Sequence, residues 1–198
     1  LPAVVENRRA AAPVPQVIAA PAAKPEQAAV APDAGSRAGA DQALGDILVL
    51  DDRLRALGVE AWGGADWADA RTRVADGDAA YKARSWAVAT TAYREALKRM
   101  QPLEAKAVDV LAQALADGQV ALAAANKALA IERFDLALLI DKQNSAAAKG
   151  RERALNLDKV LALVEQAAGF ELASDWQSAL RSFDAALAID ADWPAARE

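Results

Sequence analysis

Cysteine and histidine are both missing from this 198-residue chain. Their absence excludes zinc sites of the usual kind, thiol chemistry, imidazole bases and charge switching near neutral pH. It leaves the redox compartment open, because a chain without cysteine suits either the cytosol or the periplasm. Aromatic residues are also scarce, at 5%, so much of the 54% hydrophobic content is alanine. A core of that composition comes from helices that approach closely, alanine being the best helix former. There is no basic excess either: the net charge is −5, without the Lys/Arg stripe that nucleic-acid binding requires. No apolar run approaches the roughly 20 residues of a membrane-spanning helix. Gly63-Gly64 is not followed by the Lys-Ser/Thr of a phosphate-cradling loop. No nucleic acid, membrane insertion, cofactor or metal is expected for these residues.

Acidic residues are the remaining raw material for catalysis, since glycoside hydrolysis needs only two carboxylates. The nearest pairs are Asp51-Asp52, Glu171/Asp175 and Asp190/Asp192. None adjoins an apolar pocket signal, and acids at helix ends are ordinary capping and dipole features. No catalytic residue is assigned, and an enzyme is not expected. The short basic run Lys149, Arg151, Arg153 is offset by Glu152 and reads as a solvated helix face.

What is present falls into two regions. Residues 1–40 hold six of the eight prolines, Pro2, Pro13, Pro15, Pro21, Pro25 and Pro32, among many alanines. Proline at that density forbids continuous helix and predicts an extended, semi-rigid linker. Because the chain starts at Leu1 rather than Met, it is expected to be a processed or excised piece. Residues 41–198 read as helical. Leu44, Ile47, Leu48, Leu50, Leu54 and Leu57 form one stripe over Asp41–Leu57, with Gly58 placed for a left-handed cap. A loop is expected over Val59–Asp66, with Asp66 capping the next helix. Further helices are predicted at Ala68–Ala83, Trp86–Met100, Leu103–Asn126, Lys127–Ile140, Ala146–Ala173 and Trp176–Ile189. Gln101-Pro102 is read as a break and Asn144 or Ser145 as a cap. Asp192-Trp193-Pro194 opens one more helix, so further chain is expected to follow.

One ladder recurs within that region. From Ala167, the residues at offsets 9, 12, 16, 19 and 20 are Trp176, Ala179, Phe183, Ala186 and Leu187. From Gly77 they are Trp86, Ala89, Tyr93, Ala96 and Leu97, and from Gly118 they are Lys127, Ala130, Phe134, Ala137 and Leu138. Steps of three and four place each set on one helix face. The alanines admit a neighbouring helix while the aromatic fills the gap.

This pattern resembles the tetratricopeptide repeat, a helix–turn–helix unit of 34 residues. Asp141 and Asp190 stand where that family usually has Asp-Pro, followed here by Lys142 and Ala191. The spacings are longer, 41 residues from Gly77 to Gly118 and 49 from Gly118 to Ala167. Those excesses are close to two and four helical turns, as a lengthened first helix would give. The resemblance implies an all-α, tetratricopeptide-like solenoid of about three antiparallel helix pairs plus an N-terminal helix. It also implies a concave groove for a protein or peptide, lined by Arg71, Val74, Asp78, Tyr81, Lys82, Leu115, Gln119, Leu122, Val164, Ala168 and Glu171. The family's carboxylate clamp requires Lys and Asn; Val74, Leu115, Val164, Asp78 and Gln119 stand there instead.

Trp62 and Trp67 flank Gly63-Gly64 and form a possible aromatic patch, either a platform for a sugar or peptide or a cover for the end of a helical stack. The functional expectation is a non-catalytic interaction or sensing module in an extracytoplasmic, periplasmic setting, as part of a membrane-anchored signalling protein such as a receptor-type kinase, with the cytoplasm as the alternative setting. The alternatives are a scaffold orienting a catalytic domain in the same chain, and a glycan binder or helical glycan-active enzyme.

Overall fold

The computed structural model describes residues 35–193, and every regular element among them is an α-helix. There are seven: α1 (Arg37–Ala56), α2 (Val59–Trp62), α3 (Gly64–Lys82), α4 (Trp86–Ala123), α5 (Lys127–Ile140), α6 (Ser145–Leu172) and α7 (Trp176–Ile189). The linker expected over 1–40 lies, as far as residue 34, outside the described residues. Its last residues are helical, because α1 begins at Arg37 rather than Asp41. The Ser36 hydroxyl accepts the Gly39 amide at 3.1 Å and starts the helix early.

Helix α1 ends at the left-handed Gly58 (φ 69°), as expected. The loop expected over Val59–Asp66 contains the single turn α2, held down by buried Val59 and by the Trp62 indole, which donates to the Leu57 carbonyl at 2.8 Å. Asp66 is not the cap. Helix α3 starts at Gly64, four residues before the expected Ala68, which places Asp66 in the first turn, where its charge favours the helix dipole and meets Lys106 at 3.0 Å.

Three sharp turns then recur. Arg84, Ala125 and Ser174 are the only non-glycine residues of the described chain with positive φ (59°, 55° and 59°). In each turn the following amide reaches back to the carbonyl five residues earlier: Ser85 to Ala80, Asn126 to Ala121 and Asp175 to Phe170, at 2.8–2.9 Å. This six-to-one closure satisfies carbonyls that the ending helix would leave bare. Asn126 and Asp175 then cap the next helix, accepting from the Leu129 and Ser178 amides at 3.2 and 3.1 Å. A second kind of turn also recurs. Asp141 and Asp190 adopt extended backbone (φ −130° and −136°), and their carboxylates accept from the amides of Gln143 and Asp192.

The break expected at Gln101-Pro102 does not occur: α4 runs 38 residues straight through Pro102. The missing proline amide forfeits a bond to the Lys98 carbonyl, at a cost of about 3 kcal/mol. Both residues face solvent, whereas Met100 and Leu103 on the other side are fully buried in one cluster with α1. Burial of two such side chains contributes roughly 1.5–3 kcal/mol each, enough to carry the helix across. The second helix expected for one pair and the first expected for the next are therefore a single rod.

Successive helices pack on one another: α3 on α4, α4 on α5, α5 on α6 and α6 on α7, with α1 laid along α4. One buried cluster unites α1, Val59, Trp67 and Ala70 with Ala89, Tyr93, Ala96, Met100 and Leu103 of α4. A second joins Ala121 and Leu122 of α4, Ala130 and Phe134 of α5, and Ala154 and Leu157 of α6.

Candidate interaction surface

The ladder aromatics are wedges between helices. Tyr93 lies against Gly77 of α3, and its hydroxyl donates to Asp78 at 2.8 Å. Burial, together with that carboxylate, pushes the phenol well above its ordinary range. Phe134 is fully buried between two glycines on different helices. A Cβ on Gly118 of α4 would stand 2.7 Å from its ring, and a Cβ on Gly150 of α6 would run into three ring atoms. Gly77 and Gly118 belong to the ladder; Gly150 is the contribution of the covering helix, which the ladder did not reveal.

Several residues assigned to the groove are therefore packed between helices. Leu122 is buried, and Leu115 is half-buried against the same cluster as α6. Val74 and Tyr81 pack against the cluster that includes α1. The Tyr81 hydroxyl donates to Asp41 of α1, and its ring meets Trp86 edge-on at 4.9 Å, with Arg37 over the indole. Asp78 is engaged by Tyr93. Arg71 is exposed but paired with Asp51 of α1 at 3.1 Å. Lys82, Gln119, Ala168 and Glu171 are exposed, and Val164 is half-buried. Helical spacing placed these side chains on a common face; the structure packs part of that face against α1 in the first unit and α6 in the second, and leaves Lys82 and Gln119 exposed.

The two tryptophans by Gly63-Gly64 do not present a pair of open rings. Trp67 is buried with Arg55 and Arg71 each 5.8 Å from its ring, and Trp62 is half-buried with its N–H already used. The basic run on α6 is not simply solvated either. Lys149 meets Asp192 at 2.6 Å, and Arg151 pairs with Asp135. Arg153 donates to both carboxylate oxygens of the buried Asp190 at 2.9 and 2.8 Å, locking the turn after α7 onto α6. The 37-residue separation between Arg153 and Asp190 hides that pair from any local reading of the sequence.

Three exposed large apolar side chains fall close together in sequence at the end of α6 and in the first turns of α7, while Val88, Val108 and Val120 stand exposed on α4. Leu172 is 89% exposed, Trp176 64% and Leu180 61%. Leu180 occupies the ladder place of Thr90, which is 1% exposed, and of Ile131, which is half-buried. Phe183 is half-buried where Tyr93 and Phe134 are enclosed. Among the described residues no group of three acidic side chains converges as a metal site would, and no helix is long and apolar enough to cross a membrane. No family model matches the chain, and no curated protein or solved structure matches it significantly.

Proposed function

We propose that residues 37–193 form a divergent tetratricopeptide-like stack that serves as a non-catalytic protein-interaction module. The observation that carries this reading is that the sequence ladder and the backbone turns keep one register. The left-handed residues Arg84, Ala125 and Ser174 each fall seven positions after the small residues Gly77, Gly118 and Ala167. That shared register supports a reading in three units. Units of this kind bury their stripes only against neighbours, which makes them surfaces built for adding further elements. The Pro/Ala-rich segment suits a module held on a tether, and an extracytoplasmic setting belongs to this proposal.

The partner is a protein or peptide, received across the first-helix positions left exposed, namely Lys82, Gln119, Ala168 and Glu171. The test is capture of a partner from extract by the intact chain, beside a Lys82→Glu/Gln119→Ala double variant. Tyr81 stays untouched, because its bond to Asp41 ties α1 in place. Retention by the parent and loss by the folded variant supports the reading. Equal retention removes the first-helix face as the binding surface, and no specific partner at all removes the module reading.

A further inference from the structure

We infer that α1 is a strap over the first unit, hinged at Gly58 and clasped at its N-terminal end, whose release is coupled to a break of α4 at Pro102. The inference stands apart from the interaction-module reading and concerns a conformational change within the chain.

The conflict at Pro102 supplies the bias. Gln101-Pro102 is a local stop signal, and the proline ring both removes an amide and presses on the Lys98 carbonyl. Helix α4 nevertheless runs through it, because Met100 and Leu103 are buried in one cluster with α1. The loss and the gain are comparable in size, so the continuity of α4 depends on the seating of one other helix. Local preference against tertiary packing is the kind of conflict from which a two-state element is built. The direction of α1 shows which of its residues decide the outcome. Arg37 lies over Trp86 and Arg53 stands 3.9 Å from Glu104, so α1 runs parallel to α4. Leu50 and Leu54, both buried, therefore belong to the half of α1 that lies level with Met100 and Leu103.

The two ends of α1 are held differently, as a strap requires. The C-terminal end passes through Gly58, at φ 69°, into the single turn α2, whose Val59 is fully buried. A Cβ at Gly58 would stand 2.3 Å from Leu139 of α5, so the pivot is pressed against the second unit. The N-terminal end is held by polar contacts at the surface. The Tyr81 hydroxyl donates to Asp41, Arg37 pairs with the same carboxylate at 3.7 Å, and Arg37 lies 6.0 Å from the centre of the Trp86 ring. Exposed contacts of this kind each contribute little. Between the ends, the buried ridge begins with Gly39, Ala40 and Ala43 and continues with the larger Ile47, Leu50 and Leu54. Apolar contact is thus weakest at the clasp and grows toward the pivot, and α1 peels from Arg37 toward Gly58. Peeling that reaches Leu50 and Leu54 uncovers Met100 and Leu103, and α4 then breaks at the proline. What opens is the stripe Ala89, Tyr93, Ala96, Met100 and Leu103.

Hydrogen–deuterium exchange on the intact chain reads such openings. Amides of residues 40–54 and of residues 103–106 should exchange through one opening, with one common protection, and faster than residues 134–137 of α5. Pro102→Ala removes the bias toward the break and should slow α1 and residues 103–106 by the same factor, roughly tenfold or more. Tyr81→Phe takes away only the clasp hydroxyl and should speed both segments together. Circular dichroism confirms that both variants fold. Protection of α1 as strong as that of α5 would mean that it opens only with the whole fold, and overturns the inference. So does Pro102→Ala slowing residues 103–106 without slowing α1, or Tyr81→Phe speeding α1 while residues 103–106 keep their protection.

Discussion

Gly150 offers a direct test of how the helices are held together, because two well-understood effects oppose each other there. In the interior of a helix, Gly→Ala should stabilise by about 1 kcal/mol through backbone entropy alone. At Gly150 the added methyl would collide with Phe134, a fully buried ring that also lies against Gly118, where an added Cβ would stand 2.7 Å from it. Overpacking of that kind costs about 1–3 kcal/mol. Gly45, in the middle of α1, has nothing within 4 Å of a Cβ and isolates the entropic effect. The difference between Gly150→Ala and Gly45→Ala cancels helix propensity and should equal the clash, about 1–3 kcal/mol. For a domain of this size that corresponds to a Tm difference of roughly 2–12 °C. Thermal and urea unfolding of both variants measure it. Phe134→Leu should recover part of the loss in the Gly150→Ala background, which a double-mutant cycle reads as coupling between the two sites. If both glycine variants gain stability alike, Phe134 is not wedged against α6.

The buried pair should matter far more than its exposed neighbour. Arg153→Ala strands the Asp190 carboxylate, 4% exposed, and should cost about 3–5 kcal/mol in urea unfolding, while Lys149→Ala should stay within about 1 kcal/mol. Equal effects would mean that Asp190 is hydrated. Ala125→Gly should stabilise the fold by up to about 1 kcal/mol in urea unfolding, because it relieves the left-handed strain of a residue with φ of 55°; a loss of stability would refute the turn geometry. The Asp175 carboxylate is held below its ordinary range by hydrogen bonds from the Ser178 hydroxyl and amide. Its contribution is therefore fully present above about pH 4 and is lost as pH falls through the lowered value. The stability gap between parent and Asp175→Ala should accordingly be constant near neutrality and close in acid; a gap that widens on acidification would refute the cap.

The bounds of α5 and α7 were legible to the residue, because each is framed by a turn whose chemistry is local. Asn126 and Asp175 are capping types at the start, and Asp141 and Asp190 are aspartates that fold onto their own backbone at the end. The continuity of α4 was not legible. Pro102 is a local stop signal, and only the remote burial of Met100 and Leu103 under α1 overrides it. The same limit applies to the surface. Period and offset placed Val74, Tyr81, Leu115 and Leu122 on one face, yet period cannot tell a face open to a ligand from one covered by another helix. Gly150 was the available clue, a glycine inside a long helical segment that has no turn to serve.

The unbroken α4 also accounts for the position of α1. After α5 the chain turns back at Asp141, and α6 descends over the Phe134 face in the opposite sense, as the Lys127–Asp158 and Asp135–Arg151 pairs record. After Met100 the chain does not turn back, so the matching face of α4 has no following helix to cover it. Helix α1 fills the place from the other direction: Arg37 lies over Trp86 and Arg53 beside Glu104, so it runs parallel to α4. Two helices of opposite sense can each lie close on the ladder face because both lead with small buried residues, Ala40 and Ala43 in α1 and Ala147 and Gly150 in α6, which admit close approach whichever way the helix runs. Direction is instead set by short connections and by charges at the margin.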